Sequence, residues 1–280
     1  MSSACDSCPS KDGCTSQGSC PSLQQKDQLA PGSSVKKVIG VASGKGGVGK
    51  SFVTSVLAVQ LARQGYKVGI MDADVTGPSI PQSFGLEENL MATEDELIMP
   101  AITKTGIKAV SVNLMLSDKE APVVWRGPVI NSLVKQFWGQ VNWGPLDVLL
   151  IDMPPGTGDV PLTVFQSIPI DGIILVATAQ DLVSMIVNKA RNMASMMKVP
   201  VLSMVENMSY VKCPHCGERI ELYGDGKTIE ESAKAIGATV SDKLPLDPEI
   251  TKLVDSGRAE SVPEDILEGT VSLCKKLLAE

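Results

Sequence analysis

The chain has 280 residues, 43% of them hydrophobic, so it is long enough to bury one large core or two modest ones. A net charge of −7 disfavours nucleic-acid binding, because proteins that hold nucleic acid through its phosphates usually carry a basic surface. The sequence has no apolar run near the roughly 18 residues of a membrane span and no signal-peptide pattern, so we expect a cytoplasmic protein without a membrane partner.

The first part of the chain differs in composition from the rest. Residues 1–34 are rich in Ser, Gln, Gly, Pro, Asp and Cys and contain almost no large apolar residue. Such a segment cannot form a hydrophobic core, so we expect a flexible tail unless a metal orders it. One domain is expected over residues 35–280.

The remainder of the chain alternates buried strands with amphipathic helices. The predicted strands are 35–42, 67–71, 147–151, 172–177 and 200–205, and the predicted helices are 51–64, 127–140, 182–197, 228–236 and 263–279. Residues 88–116 suggest a hairpin insertion, and residues 210–226 are expected to form a loop. This alternation indicates an α/β fold with a mostly parallel sheet flanked by helices. Functional groups then gather where strands end, and four polar residues follow predicted strands: Ser43, Asp72, Asp152 and Asn207.

A glycine-rich segment joins the first predicted strand to the first predicted helix. It fits G-x-x-x-x-G-K-[ST] and consists of Gly44, Lys45, Gly46, Gly47, Val48, Gly49, Lys50 and Ser51. The glycines let backbone N–H groups turn inward on phosphates, and the helix directs its positive end at them. Lys50 is expected to reach the β- and γ-phosphates of ATP, and Ser51 to bind Mg²⁺. Phe52 stands where many such loops have a second hydroxyl, so contact with the α-phosphate relies on the backbone. The flanking strand and helix disfavour the alternative, an ordinary turn.

Lys45 is a second lysine within this loop and marks the deviant Walker A group. Members of that group resemble one another in working as dimers, with this lysine crossing to the nucleotide of the partner. A charge donated in this way would stabilise negative charge that develops during hydrolysis. The alternative is a lysine solvated on the outer face of the loop.

Three aspartates follow predicted strands and are candidates for catalysis. An apolar strand that ends in Asp152 has the Walker B arrangement, in which the carboxylate holds the magnesium shell. Asp74, two residues after Asp72, is the candidate for positioning or deprotonating the attacking water. The glycines and prolines after Asp152 suit a loop that senses the γ-phosphate. The alternative for each aspartate is a strand-end or helix-cap role.

Two segments are candidates for the nucleobase pocket. The side-chain amide of Asn207 can pair with a purine edge. The segment from Pro245 to Asp247 is the candidate for the opposite wall. Both signals are modest, because Asn and Pro are common in loops.

Six of the seven cysteines form two groups. Cys213 and Cys216 form a C-P-x-C-G knuckle that supplies two thiolates, and a symmetric dimer would complete a Cys₄ site for zinc or a [4Fe–4S] cluster. His215 is expected beside this site rather than in it. The tail carries Cys5, Cys8, Cys14 and Cys20, which are candidates for a second cluster or, alternatively, belong to an oxidisable tail. Cys274 is expected to be a buried apolar residue.

These motifs together resemble the Mrp/ApbC family of iron–sulfur cluster carrier ATPases, including the cytosolic scaffold branch, over residues 35–278. The resemblance is carried by residues 44–51, 72–79, 125–128, 152–159, 205–208 and 213–216. It implies a P-loop NTPase fold similar to MinD and the nitrogenase iron protein, ATP binding and slow hydrolysis. It also implies a homodimer that carries a labile [4Fe–4S] cluster on Cys213 and Cys216 of both subunits for transfer to apoproteins. The tail is similar to that of the scaffold branch, although the cysteine expected well upstream of its first pair is absent.

One alternative shares the same loop. It is a dimeric positioning ATPase of the division or partition type, with a structural zinc at the knuckle. Its membrane-bound form needs a basic amphipathic C-terminal helix, whereas residues 264–280 here mix both signs of charge. Metal content would distinguish this alternative from a cluster carrier.

Overall fold

The computed structural model describes residues 26–74, 77, 79–94, 96–115, 127–156, 158–178, 198–223 and 227–280. The four tail cysteines, the predicted helix 182–197 and residues 125 and 126 of the motif at 125–128 lie outside the described residues. Within the described residues, no helix is long and apolar enough to cross a membrane.

A nine-stranded sheet forms the centre of the molecule. Its strands are β1 (Ser34–Ser43), β2 (Val68–Asp72), β3 (Ala101–Ile102), β4 (Lys108–Val110), β5 (Pro145–Asp152), β6 (Gly172–Ala177), β7 (Val201–Lys212), β8 (Arg219–Glu221) and β9 (Val240–Pro245). The order across the sheet is β3-β4-β2-β5-β1-β6-β7-β8, and β9 pairs with β7. Among the strands of the described residues, only β3 with β4 and β7 with β8 pair in antiparallel fashion, which confirms the prediction of a mostly parallel sheet.

Helices pack on both faces of this sheet. In the described residues they are α1 (Lys50–Arg63), α2 (Ile80–Phe84), α3 (Gly127–Gly139), α4 (Asp159–Ser167), α5 (Lys227–Ala235), α6 (Pro248–Asp255) and α7 (Glu268–Ala279). Alternate residues of a strand point to opposite faces, so the sheet has one core on each side. In β5, Leu149 packs with α3 and α4, whereas Leu150 packs with α1.

The fold gathers the functional segments at the carboxyl ends of neighbouring parallel strands. β1, β2 and β5 are parallel neighbours, and Asp72 lies opposite Asp152 in the register of β2 and β5. The loop after β1 and the residues that end β2 and β5 therefore meet, as expected for the carboxyl ends of parallel strands.

The structure corrects three sequence interpretations. Residues 210–226 are not a loop throughout, because β7 continues to Lys212 and pairs with β8 as a hairpin. Asn207 consequently lies inside β7 and not beyond its end. The sequence patterns also missed β9, α2, α4 and α6, while the last helix begins at Glu268 rather than at residue 263.

Residues that precede position 35 contact helices of the domain. Lys26 Nζ donates to the carbonyl oxygens of Phe165 and Ile168 at the end of α4. The indole N–H of Trp138 donates to the carbonyl of Asp27 over 2.7 Å. Residues 26–33, which composition assigned to the tail, thus pack on α3 and α4.

Candidate functional site

The glycine-rich loop between β1 and α1 has the backbone of an anion cradle. Gly47 and Gly49 both have positive φ, 79° and 81°, a conformation that side chains disfavour. Gly49 has a second constraint, because a Cβ there would lie 2.2 Å from Asn207 Nδ2. That amide donates to the carbonyl oxygen of Val48 over 2.9 Å and fixes the loop to β7.

A buried ion-pair cluster lies at the start of α1. Lys50 is only 6% exposed, and its Nζ is 2.7 Å from Asp152 Oδ2 and 3.6 Å from Asp74 Oδ2. Ser51 Oγ donates to the same Asp152 oxygen over 2.5 Å. The structure therefore brings together Lys50, Ser51, Asp74 and Asp152, four of the residues singled out in the sequence.

Thr54 is a functional candidate that the sequence analysis missed. Its hydroxyl is fully buried and donates to Asp152 Oδ1 over 2.8 Å, so both carboxylate oxygens of Asp152 are held. Thr54 lies one helical turn after Lys50, on the face of α1 that packs against the sheet. The spacing K-S-x-x-T contained this signal, because residues i and i+4 share a helix face.

Asp72 is placed behind the site rather than in it. Its carboxylate accepts hydrogen bonds from Ser111 Oγ at 3.0 Å and from the Asp74 N–H at 3.2 Å. Complete burial raises the pKa of Asp72 well above its usual range; the neighbouring Asp152 adds to this effect and Lys50 opposes it. The strand-end interpretation therefore suits Asp72, which supports the turn that carries Asp74.

A cavity of about 660 Å³ opens beside the loop. Its lining includes Gly46, Gly47, Val48, Gly49, Lys50, Ser51, Phe52, Asp74, Asn207, Pro245 and Asp247. The carboxylate of Asp247 also caps α6 by accepting from the N–H groups of Glu249 and Ile250, at 2.9 and 3.2 Å. The cavity thus joins the phosphate loop to both segments expected to form the nucleobase pocket.

Lys45 occupies a different position from Lys50. It is exposed, as are Gly46 and Gly47, and it is not among the residues that line the cavity of its own chain. Gly44 is half-buried, and the Ser43 hydroxyl donates to the carbonyl oxygen of Lys45 over 3.0 Å. This placement suits a side chain that acts outside its own subunit.

Beside Asn207, a buried acidic residue escaped the sequence analysis. Glu206 is 1% exposed, accepts from Ser209 Oγ over 2.9 Å and lies 3.6 Å from Lys243 Nζ. A hydrogen bond to Glu230 and the charge of Glu206 raise the pKa of Lys243. Lys243 also lines the cavity, so this cluster links the cavity wall to α5.

The cysteine pair lies in the turn between β7 and β8. Cys213 is half-buried and Cys216 exposed, and the Cys213 N–H donates to the Glu218 carbonyl over 2.8 Å. The backbone N–H groups of Cys216 and His215 face the Cys213 sulfur and, with the Cys216 side chain, lower the pKa of the Cys213 thiol. A turn that directs N–H groups at sulfur favours the thiolate, the form that binds metals.

The cysteine pair of the hairpin provides too few ligands by itself for a closed metal site. No group of three or more His, Cys, Asp or Glu side chains that could hold a metal ion occurs in the described part of the chain. His215 is exposed on the turn, and Cys274 is fully buried on α7, as expected. Burial raises the pKa of Cys274 to about 12, so this thiol stays protonated.

The donor set in the cavity fits magnesium and a nucleotide. Ser51 and Asp152 present a hydroxyl and a carboxylate oxygen 2.5 Å apart, and oxygen donors of this kind suit Mg²⁺. Lys50 and the loop N–H groups suit phosphate oxygens. At the hairpin, two thiols per chain fit zinc or an iron–sulfur cluster only when further ligands join them.

Comparison with known proteins identifies the relatives of this chain. Residues 34–277 match the sequence model of a ParA-type family described as NUBPL iron-transfer P-loop NTPase. The iron-sulfur cluster carrier protein of Clostridium perfringens is 44% identical over 267 residues, with 92% of this chain and 93% of that protein covered. The protein of that name from Methanocaldococcus jannaschii is 42% identical, covering 90% of this chain and 87% of the relative.

Solved structures agree with this assignment. The nucleotide-binding protein of Archaeoglobus fulgidus, in complex with ADP, is 44% identical with a TM-score of 0.73, covering 82% of this chain and 90% of that one. The cell division ATPase MinD of Pyrococcus furiosus shares the fold, with 17% identity and a TM-score of 0.62 over 86% of this chain and 99% of its own. The chain belongs to the iron-transfer P-loop NTPase family, and its fold is of the MinD type, as the motifs predicted.

Proposed function

We propose that this member of the iron-transfer P-loop NTPases binds and hydrolyses ATP and, as a homodimer, assembles and carries a [4Fe–4S] cluster for transfer to apoproteins. The observation that carries the proposal is the convergence of Lys50, Ser51 and Asp152 beside a cavity whose wall strand leads directly into Cys213. Relatives over 40% identical are named iron-sulfur cluster carrier proteins, which supports the same role here.

The chain prepares the phosphate site before the nucleotide binds. Asp152 and Asp74 hold Lys50 extended into the cavity, where its ammonium group can donate to β- and γ-phosphate oxygens. The N–H groups around Gly47 and Gly49 supply further donors. Ser51 and Asp152 are the residues that would hold Mg²⁺, whose charge neutralises the phosphates when it is bound.

Two further residues have proposed roles in hydrolysis. Asp74 lines the cavity and is the acceptor proposed to orient the attacking water or take its proton. Lys45, exposed on the loop, is proposed to reach the nucleotide of the partner subunit and stabilise negative charge there. Hydrolysis would then depend on the dimer.

The nucleobase is proposed to lie between Asn207 and the segment from Pro245 to Asp247, which line the same cavity. One N–H of the Asn207 amide is used by the Val48 carbonyl. The amide has a second N–H and a carbonyl oxygen, which suffice to pair with a purine edge.

The cluster is the cargo of the proposed cycle. Cys213 and Cys216 of two chains together supply the four thiolates that a [4Fe–4S] cluster requires. Because Cys216 is exposed, a cluster held at this turn would be accessible to an acceptor protein. A second cluster on Cys5, Cys8, Cys14 and Cys20 stays a prediction from the sequence, since those residues lie outside the described ones.

Anaerobic purification with analysis of iron, sulfide and zinc tests the proposal. Wild-type protein is compared with Cys213→Ala/Cys216→Ala, and we expect about one [4Fe–4S] per two chains, lost in the double variant. Iron retained by the variant would be assigned to the tail. Zinc without sulfide, even after reconstitution with iron and sulfide, would refute the carrier function and favour a dimeric positioning ATPase with a structural zinc.

A further inference from the structure

A second groove lies at the edge of the sheet farthest from the cysteine hairpin. Its volume is about 640 Å³, and residues 84–91 and 99–104 line it. β3 is the outermost strand on this side, and six strand-to-strand steps separate it from β7. At about 4.8 Å per step the groove is roughly 29 Å from the strand that carries the cysteines. It is therefore distant from the cysteine hairpin, and it shares no lining residue with the nucleotide cavity.

The groove exposes large apolar side chains to solvent. Met91 is 74% exposed, Ile102 62% and Met99 39%. The N–H of Met99 donates to the carbonyl of Met91 over 2.8 Å, so these two methionines lie on neighbouring segments. A cluster of exposed apolar side chains is a common mark of a protein interaction site, and flexible thioethers adapt to varied partners.

One edge of β3 has no partner strand in the described part of the chain. β3 pairs through Ala101 and Ile102 with β4 on its inner side alone. Exposed sheet edges are usually protected by a charged residue or a proline against pairing with another chain. Pro100 and the two-residue length of β3 limit such pairing, but neither residue of β3 is charged and Ile102 is exposed, so a short added strand can pair at this edge.

The groove lies in an acidic part of the chain. Its lining includes Glu87, Glu88 and Lys104, and the sequence from 92 to 98, which joins the two lining segments, adds three acidic residues and no basic one. Glu87 and Glu88 line the groove and are exposed. Complementary charge would favour a basic occupant and raise its association rate.

We propose that this groove docks an extended segment of a partner protein in which lysines or arginines alternate with apolar residues. The apolar side chains would contact Met91, Met99 and Ile102, the basic ones would face Glu87 and Glu88, and the segment backbone would pair with the free edge of β3. Two other occupants fit the charge poorly. Residues 1–25 contain one lysine and two aspartates, and a second copy of this chain would bring its own net charge of −7.

Fluorescence anisotropy on the full chain tests this proposal with two labelled decapeptides. In one, lysine alternates with valine or leucine; in its twin, glutamate replaces every lysine. We expect the basic peptide to bind at least about tenfold more tightly than the acidic twin, with an affinity that falls as salt is added. Ile102→Lys should weaken the basic peptide by about tenfold, because it blocks the edge with like charge.

Matched variants separate docking from general effects. Val129→Lys changes an exposed apolar residue on α3, 52% exposed, that does not line the groove. This variant should leave peptide binding unchanged. Glu87→Lys with Glu88→Lys should shift the preference towards the acidic twin. ATP hydrolysis by Ile102→Lys should match the wild type, so the docking result stands apart from the proposed function.

Three outcomes would overturn the proposal. The first is equal affinity for the two peptides, and the second is an equal loss of affinity in Val129→Lys and Ile102→Lys. The third is a change in the association state of the chain itself in Ile102→Lys, measured by sedimentation, which would identify a second copy as the occupant.

Discussion

The phosphate loop and the cysteine hairpin are connected by one strand, yet they are built in opposite ways. The charged groups at the loop are buried: Lys50 is 6% exposed and Asp152 fully buried, and each has several partners within the same chain. The hairpin is exposed, and one chain provides only two thiols there. The phosphate loop therefore has its charged partners within one chain, whereas the proposed cluster site at the hairpin needs ligands from a second chain.

The largest effect is expected from Lys50→Ala. The change removes the ammonium group that Asp152 and Asp74 hold in the cavity, so hydrolysis of ATP should fall at least about a hundredfold. Phosphate release measures this, and circular dichroism checks that the variant is folded. Normal turnover by a folded variant would break the assignment of the phosphate loop, whereas metal binding at the hairpin should survive the change.

Thr54→Val tests whether the carboxylate of Asp152 is positioned from within α1. The variant keeps the volume but removes the hydroxyl that donates to Asp152 Oδ1, leaving a buried oxygen unsatisfied. We expect a loss of about 1–3 kcal/mol in the free energy of unfolding and a lower kcat. Thr54→Ser keeps the hydroxyl and should restore kcat; equal kcat in all three proteins would contradict the positioning role.

Cys274 provides a pH test of a thiol that belongs to neither functional region. Its pKa is raised to about 12 in the folded chain, from an ordinary value of 9.0. Between these values the unfolded thiol loses its proton and the folded one keeps it, so stability falls as pH rises above about 9. Cys274→Ala removes this titrating thiol, so the free energy of unfolding should fall by about 1.4 kcal/mol less per pH unit in the variant than in the wild type.

Chemical denaturation at pH 8 and pH 10 measures that term as a difference between wild type and Cys274→Ala. The other cysteines are present in both proteins, so their contributions cancel. Identical pH slopes would show that Cys274 is accessible to solvent and would contradict its place in the core.

The smallest effect is expected at the base of the hairpin. The Arg219 guanidinium lies 4.3 Å from the centre of the Tyr210 ring, a cation–π contact at the surface. Arg219→Ala should lower the local stability of β8 and the turn by about 0.5–1 kcal/mol. Faster hydrogen exchange at the Cys213 amide, with unchanged exchange in α1, would be the expected result. Faster exchange throughout the sheet would show that the hairpin is not an independent element.

The sequence predicted the nucleotide region better than the hairpin for a physical reason. Strands β1, β2, β5 and β6 are buried on both faces and read as apolar runs, and the phosphate loop has a distinctive glycine pattern. Buried polar contacts such as Thr54 with Asp152 and Glu206 with Lys243 depend on pairs distant in sequence. The spacing K-S-x-x-T indicates that Thr54 shares a helix face with Lys50, but a single sequence does not show which distant residue such a side chain contacts.

Asn207 shows that the end of a strand cannot always be predicted from the local pattern of polar and apolar residues. A strand was expected to end before it, since polar residues follow the apolar run 201–205. β7 instead continues past Met208, which has a φ of 54°, with a shift in its pairing with β9. The Asn207 amide, next to this irregularity, donates to the Val48 carbonyl, and the continued strand leads to Cys213.

Native mass spectrometry of mixed dimers can determine whether two chains share one cluster, as we propose. A tagged chain with the wild-type hairpin is paired with a chain that carries Cys213→Ala and Cys216→Ala. In both chains the four tail cysteines are replaced by alanine: Cys5, Cys8, Cys14 and Cys20. After anaerobic reconstitution, wild-type dimers should gain the mass of one [4Fe–4S] cluster, and mixed dimers should gain none. A cluster retained by mixed dimers, or by single wild-type chains, would contradict the account.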